Sequence, residues 1–213
     1  MRENSLSIKL EKISKRFLSE WIFRNISLEI IPRQKIAVLG QNGSGKSTFL
    51  QSVASYQTLT SGSVEYYLNN KSVDASFHYK HLSIATPYME LIEDMTFIES
   101  IEHQKIFKPF LPELSIPEII EISGLEKKNA RKQIRLYSSG MKQRAKLTLA
   151  ILTDAPLLLL DEPCSNLDSY AIEWYQEMIK NFASNKTIIV CSNNITSEFK
   201  FCTSQLNIQD YKK

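Results

Sequence analysis

Apolar and polar positions alternate in the first third of the chain and change to a longer period after it. Residues 6–12 (Leu-Ser-Ile-Lys-Leu-Glu-Lys) and 26–30 (Ile-Ser-Leu-Glu-Ile) alternate as half-buried strands do. Gly62 to Leu68 reads as another strand, ended by Asn69-Asn70. Three early strands with one polar face each predict an antiparallel sheet. Lys35 to Leu39 is instead a short apolar run, and His81 to Thr86 resembles a core strand stopped at Pro87. From Thr96 to about Lys132 the pattern is helical, punctuated by prolines 109, 112 and 117, and has little strand signal. A helix is expected over 139–151, a buried strand over Leu157 to Leu160, a helix over 169–183 and a second buried strand over Thr187 to Cys191. Strands alternating with helices imply a mainly parallel sheet covered on both faces.

The strongest chemical signal lies between the Lys35–Leu39 strand and a helix-compatible run, Phe49 to Ala54. There the chain reads Gly40-Gln41-Asn42-Gly43-Ser44-Gly45-Lys46-Ser47-Thr48. Strand, G-x-x-x-x-G-K-S and helix form the context of a phosphate-binding loop. Glycines let backbone amides turn inward to line an anion nest, and a helix starting near Lys46 adds unpaired N–H groups. Lys46 is expected to reach the β- and γ-phosphates, and the Ser47 hydroxyl to ligate Mg²⁺. Half of the six glycines sit in this loop, so glycine is concentrated where the phosphate chemistry needs it.

A second polar cluster ends the Leu157–Leu160 run, in Asp161-Glu162-Pro163. At the carboxyl end of a strand, Asp161 can hold Mg²⁺ through its water shell, and Glu162 can orient and deprotonate the attacking water.

At 213 residues, with 43% hydrophobic content, the chain suits one α/β domain with a small insertion. A net charge of +3 is too weak to argue for a nucleic-acid partner by itself. Cys164, Cys191 and Cys202 have no C-x-x-C spacing and read as reduced thiols of a cytosolic protein. Met1 to Leu10 is mixed polar and charged, unlike a secretory signal, and no apolar run approaches the roughly 20 residues of a membrane helix.

With both motifs in this order, the chain resembles the ATP-binding subunits of ABC (ATP-binding cassette) transporters over nearly its whole length. Tyr137-Ser138-Ser139-Gly140-Met141-Lys142-Gln143-Arg144 resembles a divergent form of that family's Leu-Ser-Gly-Gly-Gln signature, matching at Ser138 and Gly140 and departing at Ser139 and Met141. Ser165-Asn166-Leu167-Asp168 resembles the loop after the Asp-Glu pair, with Asp168 at the dimer-interface position. Phe17 precedes Lys46 by the interval of the family's adenine-stacking aromatic.

The resemblance implies a P-loop NTPase core, an N-terminal antiparallel β subdomain and an inserted helical subdomain, together one domain over 1–213. Its expected segments are 1–86 (antiparallel β and phosphate loop), 87–138 (helical) and 139–213 (the rest of the core). It also implies ATP and Mg²⁺ as cofactors, and a homodimer or paired cassette in which the signature serves ATP bound on the other copy. A transmembrane permease is the expected partner, at the cytoplasmic face of the inner or plasma membrane, with no nucleic acid. The implied activity is ATP hydrolysis that energises the permease through dimer closure, in a compact exporter-type or haem-exporter-like subunit. The alternative is a soluble or regulatory cassette with slow or absent hydrolysis.

Two positions depart from the family. No glutamine follows the strand before the helical segment, where Pro87-Tyr88-Met89-Glu90 stands instead. Asn193 occupies the place of a γ-phosphate-contacting histidine, and an amide carries no positive charge and relays no proton. Slow hydrolysis with intact ATP binding is expected. Glu90, Glu93, Asp94, Glu99 and Glu102 form an acidic stretch where the resemblance implies permease docking; a solvated helix face without function is the alternative. Lys127, Lys128, Arg131, Lys132, Arg135, Lys142, Arg144 and Lys146 read as a basic rim.

Overall fold

Alternating burial in the opening residues produces a long antiparallel hairpin. The computed structural model describes residues 5–112 and 114–212, so the reading of the first ten residues falls outside them at 1–4. In chain order the elements begin β1 (Leu6–Phe17), β2 (Glu20–Ile30), β3 (Lys35–Leu39), α1 (Lys46–Val53), β4 (Ser61–Leu68) and β5 (Lys71–Val73). A 3₁₀ turn, Ala75–His81, leads to β6 (Leu82–Ala85), then α2 (Phe97–Phe107), α3 (Ile116–Ile122) and α4 (Lys127–Ala130). The chain continues through α5 (Ser139–Leu152), β7 (Leu157–Asp161), α6 (Ser169–Phe182), β8 (Thr187–Ser192), α7 (Thr196–Phe199) and β9 (Ser204–Asn207).

Two compact units result, one of residues up to 82 with 155–162 and 185 onward, the other of 83–154 and 163–184. The first holds an antiparallel sheet in the order β2-β1-β4-β5 and parallel neighbours in the order β7-β8-β3-β9. In β1, Leu6, Ile8 and Leu10 point inward and Lys9 and Glu11 outward, as the alternation requires. Lys12 then takes a positive φ of 46° and the pairing register shifts, after which Ile13, Ser14 and Lys15 are all buried. Such a bulge re-aims the side chains that follow it. In β7 and β8 every residue is buried, which is why both read as continuous apolar runs.

The second unit is helical and includes α5 and α6 as well as the 87–138 segment. Its helices begin where the sequence supplies caps. Thr96 with Glu99, and Ser115 with Glu118, form reciprocal capping boxes that satisfy two backbone donors at each start. Trp174 of α6 donates to the Ile122 carbonyl at 2.7 Å and carries the Arg144 guanidinium of α5 over its ring at 4.9 Å. These contacts join α3, α5 and α6. Residues 87–95 are irregular, so Glu90, Glu93 and Asp94 lie outside any helix and the solvated-helix alternative does not apply to them.

Candidate nucleotide-binding site

Parallel pairing brings the carboxyl ends of β3, β7 and β8 side by side. Leu39 sits opposite Ser192, and Asp161 opposite Cys191. The chain leaving β3 turns through Gly40–Gly45, with the Ser44 amide donating to the Gln41 carbonyl at 3.1 Å. Two glycines are required by geometry. A Cβ on Gly40 would stand 2.5 Å from Ser44 Oγ, and one on Gly45, where φ is +103°, would collide with the Ile22 side chain. Gln41, Asn42 and Gly43 are exposed, and Ser44 is buried with no partner for its hydroxyl.

Gly45 is the N-cap of α1 and offers no side-chain cap, and the first turn of that helix has no acidic residue. Its leading amides, from Lys46 through Thr48, therefore face outward without a side-chain acceptor, which makes the helix tip an anion site. Lys46 is 4% exposed, and its ammonium donates to the Gly40 and Gln41 carbonyls at 2.9 and 3.1 Å. It also stands 3.8 Å from a Glu162 carboxylate oxygen.

Asp161 is 2% exposed, and neither carboxylate oxygen has a hydrogen-bond partner of normal geometry. Burial pushes its carboxyl above the usual range. The nearby Ser47 hydroxyl and Lys46 oppose that rise, and the Glu162 charge adds to it. A buried carboxylate without partners is costly unless something ionic completes it. Asp161 beside Ser47 is thus a donor set of the hard-oxygen kind that suits Mg²⁺. Glu162 is the first residue beyond β7, with φ of +46°, and its amide donates to the Cys191 carbonyl at 2.9 Å. That left-handed turn is uncommon for a residue with a side chain. It sets the carboxylate beside Lys46.

Cys191 is fully buried and its thiol, raised by burial, donates to the Lys46 carbonyl at 3.4 Å. All three cysteines are free thiols. Asn193 lies exposed in the turn just after β8. The turn is held from below, where the Ser192 hydroxyl donates to buried Glu198 and accepts from the Ile195 amide at 3.1 Å. Sequence reasoning missed this brace, because Glu198 stands among mainly polar residues in Thr-Ser-Glu-Phe-Lys and nothing in the pattern marks it as buried. Phe17, 45% exposed, ends β1 in the same unit.

In the second unit, Ser138 caps α5 by accepting from the Met141 amide at 3.2 Å, and both Ser138 and Ser139 are exposed. A Cβ on Gly140 would stand 3.1 Å from the Asn166 carbonyl, so the glycine permits close packing of the 165–168 loop on this turn. Asp168 caps α6 through the Ala171 amide at 2.8 Å. Beside α5 lies a cavity of about 200 Å³ lined by Pro87, Glu90, Glu93, Lys142, Lys146 and others. Glu93 pairs with Lys142 at 2.5 Å, Asp94 with Arg135 at 3.6 Å, and Lys146 donates to the Thr86 carbonyl at 3.2 Å. Lys128 pairs with Glu126. Three of the eight basic residues expected to form one rim, Lys128, Arg135 and Lys142, thus pair with acids, and Arg144 stacks on Trp174.

These features together define a P-loop nucleotide-binding cassette. The ABC transporter family matches residues 23–165, about two thirds of the chain. The chain belongs to that family. It is 26% identical to the lantibiotic transport ATP-binding protein SrtF of Streptococcus pyogenes over 201 residues, covering 90% of this chain and 81% of that protein. It is 28% identical to the ABC transporter ATP-binding protein ARB1 of Saccharomyces cerevisiae over 227 residues, spanning 99% of this chain but 37% of that relative's length. The dimeric structure of MJ0796, a bacterial ABC transporter cassette, superposes with a TM-score of 0.79 at 24% identity, covering 95% of each chain. That likeness establishes the fold. No helix among the described residues is long and apolar enough to cross a membrane.

Proposed function

We propose that residues 1–213 work as one domain that binds ATP, hydrolyses it and thereby energises a separate transmembrane permease of the compact exporter type. In this reading the 87–138 segment is an insertion in the ATPase core. The Gly40–Thr48 loop cradles the phosphates, with Gln41 and Asn42 at its exposed tip. Lys46 exchanges its two backbone carbonyl partners for β- and γ-phosphate oxygens, and Phe17 stacks on the adenine. Ser47 and Asp161 hold Mg²⁺, which supplies charge neutralisation along the triphosphate. Glu162 accepts the proton of the water that attacks the γ-phosphate.

The observation that carries this is the meeting of three groups at the strand ends: buried Lys46, Glu162 at 3.8 Å from it, and Asp161 with both oxygens unpartnered. Ser138, Ser139, Gly140 and Met141 serve the γ-phosphate of a second copy, and Asp168 lies on the facing loop. A serine hydroxyl that accepts from Met141 still has its proton to donate to an anion. Closure of two copies around two ATP molecules does mechanical work because the ligand binds the closed dimer more tightly than the open one. The site of action is the cytoplasmic face of the inner or plasma membrane.

A slower or regulatory cassette is favoured by one observation, the exposed amide of Asn193 where the family places a histidine. Both readings are tested by steady-state ATP turnover of the purified protein. Glu162→Gln lowers turnover by about 10²- to 10⁴-fold with ATP binding retained, and Asn193→His raises it several-fold. Equal turnover in wild type and Glu162→Gln would leave only the regulatory reading. No rise in well-folded Asn193→His would remove the explanation of slowness.

A further inference from the structure

We propose that Lys15 is a positioning residue for the nucleotide base: a buried cation behind the Phe17 ring that reserves one ring face for stacking and strengthens that stack. The inference rests on the reading of Phe17 as the base platform.

Lys15 follows the bulge at Lys12, which turns a residue that strict alternation would expose into the interior. It is 8% exposed, and its ammonium donates to the Thr58 carbonyl at 2.7 Å. The same ammonium lies 4.6 Å from the centroid of the Phe17 ring, which is itself half-exposed. A lysine removed from water needs such partners, and the ring face is one of them. With one face occupied, a base can reach only the other. A cation on one face also draws electron density from the ring, so the open face becomes a better partner for an electron-rich purine.

The anchor has a second consequence. Thr58 and Thr60 belong to the segment that follows α1, the helix opening with Lys46. The Thr60 amide donates to the Ser14 carbonyl, and the Arg16 amide to the Thr60 hydroxyl, each at 2.9 Å. Lys15 therefore belongs to a set of bonds that fixes the end of β1, and with it Phe17, to the chain leaving the phosphate helix. The base platform is held to this segment, while the Gly40–Thr48 loop takes part in none of these bonds.

Lys15 thus acts on affinity for the base and leaves the grip on phosphate alone. Isothermal titration of the full chain with ATP and, separately, with inorganic tripolyphosphate, both with magnesium, reads the difference. Lys15→Met keeps the apolar stem and removes the charge. It is expected to weaken ATP binding roughly 2- to 30-fold and leave tripolyphosphate binding within twofold, and Lys15→Arg restores ATP binding. Phe17→Ala is expected to weaken ATP in the same base-dependent way. Loss of ATP binding in Phe17→Ala with none in Lys15→Met overturns the lysine assignment alone. An equal loss of both ligands in Lys15→Met, unrescued by arginine, reduces Lys15 to a structural residue and also overturns it. Unchanged ATP binding in Phe17→Ala overturns the platform reading itself and the inference with it.

Discussion

The two helix tips proposed to meet phosphate are finished in opposite ways. α1 starts from Gly45, which contributes no side-chain cap, and its first turn holds a buried lysine. α5 starts from Ser138, whose own hydroxyl satisfies the Met141 amide. The first tip leaves its amides for an outside anion and builds a cation into the nest. The second is capped by a side chain at one amide and offers what that cap leaves over: a hydroxyl proton, the Ser139 and Gly140 amides and the local dipole. A primary ligand site needs unsatisfied donors held in place by the fold around them. An auxiliary contact formed between copies can be added to a tip that is already stable, so the two halves of the proposed site contribute unequally to stability in the absence of ligand.

Removing the cation from the open tip is expected to give the largest effect. In Lys46→Ala the nest keeps its amides and loses its charged donor, and charge-assisted hydrogen bonds are worth roughly 1.5–3 kcal/mol each. ATP affinity measured by titration on the single copy should fall about 100-fold. The same measurement on Ser138→Ala should show no change, because that tip serves the other copy's nucleotide. Equal losses in both would break the distinction drawn between the tips.

A smaller effect is expected at Asp161, which shares the incompleteness of the first tip. Burial raises its carboxyl pKa. An acid raised in the fold favours the folded state below its unfolded value, about 3.9, and loses that contribution as pH rises through the folded value. Nucleotide-free wild type should therefore lose stability at this group as pH rises above about 4. Asp161→Asn should not, so at pH 7 it should melt higher than wild type, by about 2–4 °C for each kcal/mol of charge burial that the amide relieves. The variant should in return lose the magnesium-dependent part of its stabilisation by ATP. A thermal shift series over pH, with and without MgATP, checks both. An Asp161→Asn protein less stable than wild type at neutral pH would show that the carboxylate is already satisfied.

The open tip was legible in the sequence because its geometry is local: strand, glycines and lysine follow one another within fifteen positions, from Lys35 to Thr48. β7 and β8 were legible because every side chain in them is buried. The reasons for the rest lie in tertiary contacts. β5 has three residues and none fully buried, and β9 buries Leu206 alone, so neither carries a pattern of its own. The start of α2, by contrast, was legible because the Thr96–Glu99 capping box is local and opens the helix at Phe97. The inward turn of Lys15 depends on a bulge whose residue, Lys12, carries no glycine to announce it. The matching of Lys142 with Glu93 and of Arg135 with Asp94 crosses some forty residues or more of chain, and charge counting along the sequence cannot see it.

The finished tip supplies the smallest and most diagnostic test. If Ser138 first completes α5 and only then serves a neighbouring nucleotide, its two roles separate by substitution. Ser138→Ala deletes the acceptor for the Met141 amide and should cost about 1 kcal/mol of stability, while Ser138→Gly should cost only a few tenths, since glycine tolerates the cap conformation and lets water reach the amide. Both delete the hydroxyl proton and should lower ATP turnover to the same extent at protein concentrations that allow pairing. Melting temperatures that differ between alanine and glycine, with matching turnover, would establish cap and contact as independent duties of one side chain. Turnover that follows the melting temperature would mean that Ser138 acts through the helix alone, and its hydroxyl would then have no chemistry of its own.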